Sequence, residues 1–283
     1  MIHHRMRNAL RTGFIAMAVA GVMLAAPQSA PAAEDPSAME IIHHANLVSY
    51  FQGKDGRARV SMVIRDKQGR ERKRLFTILR RDNPDTDDLA NAAYRGEQKY
   101  YVYFHRPADV SKMSLLVWKH LDRDDDRWLY LPALDLVKRI AASDKRTSFA
   151  GSDFFYEDVS GRNIDLDKHE LIKTTKNYYI IRNTPKDPGS VEFAYYDAYI
   201  HKSTFLPVQI EYFDKKGQKY RVYKALKVEN IQGYATVTRS SMSNLQSGSV
   251  TTLSYKGVKY NRGTPEDIFS ERYLRRAPVK HLR

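Results

Sequence analysis

The spacing of apolar residues changes once near the start of the chain. Between Ala38 and Phe51 they recur every three or four positions, as on the buried face of a helix. Ser37 precedes this segment and Gly53 follows it, and serine is a favoured residue at a helix N-terminus. We predict one amphipathic helix, capped by Ser37.

After Gly53 the period shortens to two. Val60, Met62 and Ile64 alternate with more polar neighbours, a turn follows at 67–70, and the segment from Leu75 to Leu79 returns. This pattern predicts a β-hairpin. Nine further strand-like segments are Tyr100 to Phe104, Leu115 to His120, Trp128 to Leu131, Tyr178 to Arg182, Val191 to Ile200, Leu206 to Phe213, Tyr220 to Val228, Ala235 to Met242 and Val250 to Tyr260. The chain is therefore expected to be mainly β with a few helices, an antiparallel sandwich or barrel-like sheet.

The first 32 residues have the features of a cleavable signal peptide. Arg5, Arg7 and Arg11 precede an apolar stretch at 13–26, and small residues follow at 29–33. That order predicts export to the periplasm with cleavage after Ala32 or Ala33, and one domain over residues 33–283. A retained membrane anchor is the alternative, but the apolar stretch is shorter than the roughly 20 residues of a spanning helix.

Charge narrows the set of partners. The whole chain carries +14, loses three arginines with the predicted leader and keeps +11. An exported basic protein is attracted to an anionic membrane surface, whereas export argues against nucleic acid as its target. The sequence contains no cysteine, so the fold is expected to form without disulfides.

The usual catalytic motifs are missing from the sequence. It contains no phosphate-binding glycine loop, H-E-x-x-H helix or G-x-S-x-G elbow. The acidic run at 122–127 is interpreted as a turn rather than a calcium loop, and His43 and His44 as packing or surface residues. Asp153, Glu157 and Asp158 are the one candidate set of paired carboxylates. We therefore expect no enzyme activity, no cofactor and no metal.

Three segments resemble a known family. They are residues 128–134 (WLYLPAL), 137–140 (VKRI) and 149–158 (FAGSDFFYED), and together they are similar to the outer-membrane lipoprotein-sorting proteins, relatives of the LolA and LolB carriers. Ala150 departs from the pattern, in which a larger apolar residue is expected. The resemblance implies a curved antiparallel sheet, an incomplete or half β-barrel closed by helices, whose apolar cavity suits acyl chains.

Candidate site residues follow from combining this fold with the strand pattern. Alternating positions on adjacent predicted strands give the acyl-chain cavity: Met62, Ile64, Phe76, Ile78, Phe104, Trp118 and Leu129. The motif that would cover it contributes Phe149, Gly151, Ser152, Asp153 and Phe154. Ser152 and Asp153 are expected to anchor this cover through backbone hydrogen bonds, and the helix that begins after Ser37 would be a second, movable cover.

The leading hypothesis is a periplasmic carrier or chaperone for lipid or lipoprotein acyl chains. A non-catalytic accessory subunit that binds an envelope transporter is the alternative, and an envelope hydrolase is a third. A carrier requires an apolar cavity, and an accessory subunit requires a large exposed patch. A hydrolase requires a cleft of convergent polar groups.

Overall fold

The protein is described here by a computed structural model that covers residues 36–83 and 96–283. The predicted signal peptide lies outside the described residues and stays a prediction. The predicted helix is present as α1, Ala38–Tyr50. Ser37 accepts a hydrogen bond from the backbone N–H of Glu40 at 3.3 Å, and the Glu40 carboxylate accepts one from the backbone N–H of Ser37 at 2.8 Å. This reciprocal cap fixes where the helix begins.

Thirteen strands form a single antiparallel sheet. They are β1 Asp55–Arg65, β2 Glu71–Asn83, β3 Glu97–Arg106, β4 Ser114–Lys119, β5 Asp126–Leu131, β6 Leu136–Ile140, β7 Asp167–Thr174, β8 Tyr178–Pro185, β9 Phe193–His201, β10 Pro207–Asp214, β11 Lys219–Ile231, β12 Tyr234–Asn244 and β13 Ser249–Tyr260. Their order across the sheet is β6-β5-β4-β3-β2-β1-β13-β12-β11-β10-β9-β8-β7. The first and last strands of the chain therefore pair in the middle of the sheet, and β6 and β7 are its edges.

The mainly β architecture is confirmed, including the hairpin of β1 and β2, in which Met62 lies opposite Arg74. The sheet is one open layer rather than a sandwich. Two strands were missed by the sequence pattern, and these are the edge strands β6 and β7. Both are rich in Lys, Arg and other polar residues, as edge strands commonly are.

The two faces of the sheet carry separate cores. On one face, here the inner face, Met62, Phe104 and Leu253 belong to a buried apolar cluster to which β1–β6 and β12–β13 contribute. On the opposite, outer face, Tyr101 and Leu116 belong to a second cluster. Strand alternation explains the division, because successive side chains point to opposite faces.

Two sets of helices cover these faces. α1 packs through Ile41 and Ile42 against a cluster on β8 and β9. The outer face is covered by the C-terminal segment, which contains the short helices α3, Arg272–Arg275, and α4, Val279–Leu282; another short helix, α2, spans Tyr156–Ser160. No helix in the described part of the chain is long and apolar enough to cross a membrane.

Candidate ligand cavity

A cavity of about 420 Å³ lies between α1 and the inner face of the sheet. This volume falls in the range of about 300–1,000 Å³ that is typical of small-molecule sites. Its apolar lining includes Ile42 and Ala45 of α1, Met62, Phe76 and Val102 of β1–β3, Ile200 and Ile210 of β9 and β10, and Met242 and Leu253 of β12 and β13. Side chains from both halves of the chain thus converge on one apolar space.

Apart from Trp118, the cavity residues predicted from the sequence divide into two groups. Met62, Phe76 and Ile78 line the cavity. Ile64, Phe104 and Leu129 lie in the inner-face cluster, outside the cavity lining. Their role in ligand binding stays a prediction.

Trp118 requires a correction, because it lies on the outer face. Its ring packs 5.0 Å from that of Trp128, and its Nε1 donates to the carbonyl of Phe269 at 2.8 Å. On β4 the inner-face residues are Leu115 and Val117. This strand is apolar on both faces, so alternation alone could not tell which set faces the cavity.

The motif at 149–158, which we call the strap, closes one side of the cavity. Phe149 and Phe154 line the cavity, and the ring of Phe149 meets that of Phe76 edge-on at 5.9 Å. Between them the chain turns sharply through Ala150 and Gly151, whose φ angles are +52° and +73°. The small side chain at 150 tolerates this left-handed conformation better than a bulky one would.

Ser152 and Asp153 anchor the strap and do not line the cavity. The Ser152 hydroxyl donates to the carbonyl of Phe149 at 2.7 Å. The Asp153 carboxylate accepts hydrogen bonds from the hydroxyls of Ser249 and Thr251 on β13, the second at 2.7 Å. Ser152 thus bonds to a backbone carbonyl, and the Asp153 carboxylate bonds to side-chain hydroxyls of β13, where backbone groups were expected.

Ion pairs fix the far end of the strap. Arg221 of β11 donates to the Asp153 carbonyl at 3.0 Å and pairs with Asp158. Arg146 pairs with Glu157 at 3.0 Å. The carboxylates considered as a catalytic set are therefore engaged in holding the strap. That the strap moves as a cover stays a prediction.

The C-terminal end of α1 is also held by polar bonds. Arg80 donates to the carbonyls of Tyr50, Gln52 and Gly53, and Gln98 donates to the carbonyl of Tyr50 at 2.8 Å. The first turns of α1 meet the sheet through apolar side chains. The helix is thus tied by polar bonds at its C-terminal end, and apolar packing holds its first turns against the sheet.

Charged groups next to this tie are buried. Burial raises the pKa of Asp82 to about 6, although Arg80 and Gln98 act in the opposite direction. Burial lowers the pKa of Lys119 to about 8, and the nearby carboxylates of Asp125 and Glu157 only partly offset it. Lys119 donates to the Ser160 carbonyl at 2.9 Å and lies over the ring of Tyr50.

Phenol groups in the cavity wall are neutral at physiological pH. Burial raises the pKa of Tyr212 and of Tyr255 to about 12. The two lining arginines at the strap, Arg146 and Arg162, are paired with Glu157 and Asp167. The charges of the wall at the strap are therefore compensated, which suits an uncharged chain.

Residues 122–125 of the acidic run lie in the connection between β4 and β5, as predicted, and Asp126 and Arg127 begin β5. Arg127 pairs with Asp125 at 2.6 Å, and Asp126 pairs with Arg123 at 3.0 Å. Asp126 and Arg127 are buried, so the end of the run is less solvated than expected. Of the histidine pair, His44 packs its ring 4.6 Å from that of Phe205.

Comparison with known proteins places the fold. The chain is similar over 85% of its length to the whole of a DUF1329 family protein from Desulfovibrio piger, at 27% identity and a TM-score of 0.74. A domain from Vibrio parahaemolyticus named for outer membrane lipoprotein sorting matches 85% of the chain over 98% of its own length, at 24% identity and a TM-score of 0.73. A LolA superfamily protein from Nitrosomonas europaea matches 84% of the chain over its full length, at 20% identity and a TM-score of 0.64. No protein with a curated function matches the sequence.

A family model described only as uncharacterized protein matches residues 96–276, more than half of the chain. The matched region contains all three segments on which the resemblance rests. The chain therefore belongs to this family, and its fold is that of the LolA-like outer-membrane lipoprotein-sorting proteins.

Proposed function

We propose that the protein is a periplasmic carrier or chaperone that holds an acyl chain of a lipid or lipoprotein during outer-membrane sorting. The observation that carries this proposal is the apolar cavity of about 420 Å³ beneath α1. Burying a methylene group in such a space contributes about 0.8 kcal/mol. A methylene occupies about as much space as a water molecule, about 30 Å³, so the cavity accommodates roughly one chain of a dozen or so carbons.

The half-barrel is part of the same proposal. Val102 on β3 and Ile200 on β9 line one cavity, although seven strand spacings separate these strands in the sheet order. In a flat sheet that separation is about 34 Å. Strong curling of the sheet, with α1 and the strap over its inner face, accounts for their convergence.

Localisation and partners follow from the carrier role. The predicted leader would deliver the protein to the periplasm, where acyl chains must be shielded from water between membranes. An anionic membrane surface and an envelope transporter are the partners that such a carrier would meet.

Displacement of a fluorescent fatty acid tests this function. In Ile78→Asp an unpaired charge would lie where the chain packs, so we expect affinity to fall at least tenfold. Val63→Asp is the matched control, because Val63 is half-buried on the same hairpin and lies on the outer face. A second variant, Ala235→Trp, fills the rim of the cavity without adding charge.

Melting temperatures of all variants separate lost binding from lost folding. Equal probe affinity in wild type, Ile78→Asp and Ala235→Trp, with all three folded, would contradict the cavity as the binding site. Native mass spectrometry of protein purified from the periplasm, followed by lipid extraction, identifies the natural cargo. A cavity that never carries lipid would favour the accessory-subunit alternative.

A further inference from the structure

On the central strands, basic residues lie directly opposite other basic residues. The register places Arg59 of β1 opposite Lys256 of β13, and Lys227 of β11 opposite Arg239 of β12. Directly opposed side chains in an antiparallel pair are about 5 Å apart, and like charges there destabilise the sheet. Two such pairs on adjoining strands are an arrangement that folding alone does not favour.

These residues belong to a larger surface, which we call the basic patch. Its members are the exposed residues Arg59, Lys224, Lys227, Arg239, Lys256 and Lys259. They lie on four neighbouring strands, β1, β13, β12 and β11. Within residues 36–83 and 96–283, the only ion pair made by a patch residue is that of Lys227 with Glu229, at 3.0 Å. Most of its charge is therefore uncompensated.

The patch lies on the opposite side of the sheet from the cavity. Tyr255 and Val258 line the cavity on β13, and alternation places Lys256 and Lys259 on the opposite side of the same strand. On β12, Ser240 lines the cavity and Arg239 is its neighbour. The cations thus lie on the outer face of the strands whose inner face forms the cavity wall.

Exposed apolar side chains flank Lys227 in β11, and the register puts Val228 on the opposite face from that cation. Leu226 is 48% exposed and Val228 is 42% exposed. Val228 lies opposite Val237, which lines the cavity, so Val228 continues the apolar surface outwards at the cavity rim. Residues 226–230 are exposed, so basic and apolar side chains are both accessible along this stretch of β11. That combination binds at the interface of an anionic bilayer.

We propose that the basic patch docks the protein on an anionic phospholipid surface, with the Leu226 and Val228 side of the rim against the bilayer. An acyl chain would then pass between membrane and cavity over an apolar surface. Nucleic acid is the other polyanion that such charge would attract, but exposed leucine and valine add nothing to phosphate contacts. This inference deepens the proposed function by naming its membrane-facing surface, and it rests on that function for the transfer of the chain.

Vesicle flotation of the full chain tests the docking surface. The patch variant combines Lys227→Gln, Arg239→Gln and Lys256→Gln, and the matched control combines Lys173→Gln, Lys176→Gln and Lys216→Gln, three exposed lysines away from the patch. Each cation near an anionic surface contributes roughly a fivefold change in affinity. On mixed phosphatidylglycerol and phosphatidylcholine vesicles we expect a loss of about a hundredfold for the patch variant and less than tenfold for the control.

Separate readouts distinguish the possible failures. Equal losses in the two variants would overturn the patch in favour of net charge alone, and tighter binding of the wild type to duplex DNA than to the vesicles would overturn the membrane as its partner. Leu226→Ser with Val228→Ser should weaken vesicle binding at about 0.15 M salt, where the Debye length is about 8 Å; no change would remove the apolar rim from the interface. The patch variant should still bind the fluorescent fatty acid. Suppose that neither the wild type nor any variant binds the fluorescent fatty acid, but vesicle flotation gives the expected losses of affinity. The carrier function is then contradicted, and the docking surface is still supported.

Discussion

Gly161 shows how one residue fixes the position of α1. Its φ is +77°, and a Cβ at this position would lie 2.4 Å from the ring of Tyr50. Only glycine combines this backbone conformation with so close an approach. The ring of the last helical residue therefore rests directly on the backbone after α2.

We expect Gly161→Ala to destabilise the protein by about 3 kcal/mol or more, because it adds a clash to the backbone strain. Gly69→Ala is the matched control, since its φ is +83° but no atom lies within 4 Å of the added Cβ. That variant should cost about 1 kcal/mol from strain alone. Urea unfolding measures both changes, and equal losses would show that the Tyr50 contact is unimportant.

Lys119 makes stability depend on pH. Its pKa is lowered to about 8 in the folded protein, so between there and its ordinary value near 10.4 the unfolded chain binds more protons. Stability therefore rises with pH through this window. Between about pH 7.5 and 9.5 the free energy of unfolding should increase by about 2 kcal/mol from this group.

The variant Lys119→Met should lose this increase. The difference between its free energies of unfolding at neutral and at alkaline pH should therefore be smaller than in the wild type. Lys216→Met, at an exposed turn position, should keep the wild-type profile. Free energies from urea unfolding at the two pH values give the comparison. A wild-type profile in Lys119→Met would show that another group titrates.

At the scale of elements, sequence predicted most strands because one face of each is apolar. β6 and β7 were not predicted because an edge strand needs little apolar surface. In β6, Lys138 and Arg139 are adjacent, so the strand lacks the apolar alternation that indicates a buried face. The cavity position of Ile78 was predictable from alternation along β2. The face of Trp118 was not, because β4 is buried on both sides.

The opposed cations give a prediction about β1 and β13. Lys256→Glu would place a carboxylate opposite Arg59, replacing repulsion with attraction. We expect a gain of about 0.5–1 kcal/mol in the free energy of unfolding. Thr252→Glu is the control on the same strand, because its partner there is Val63.

Thermal unfolding at low salt checks this gain. A rise in melting temperature for Lys256→Glu but not for Thr252→Glu is the expected result. It would mean that the native sequence gives up stability at this position, as binding surfaces commonly do. Equal melting temperatures would show that solvent screens the pair.

At the scale of the whole molecule, the chain folds as two halves that share one sheet. The first half supplies β1–β6 and the second supplies β7–β13. Sequence could not reveal this arrangement, since nothing local in β1 specifies β13 as its neighbour. The cavity was likewise visible only as a set of alternating apolar positions, because its volume depends on how the two halves are arranged in space.

Because β1 pairs with β13, the order in which strands can pair is restricted for a chain that emerges N-terminus first. β1 and β2 can form their hairpin early, yet the other edge of β1 stays bare until nearly the whole chain has followed, and so does the edge of β12 until β13 arrives. A fragment that ends before Ser249 would therefore expose two long unpaired edges at its centre, where full-length protein has none. We therefore expect chains interrupted before β13 to aggregate and to be degraded by proteases more readily than chains that complete the sheet.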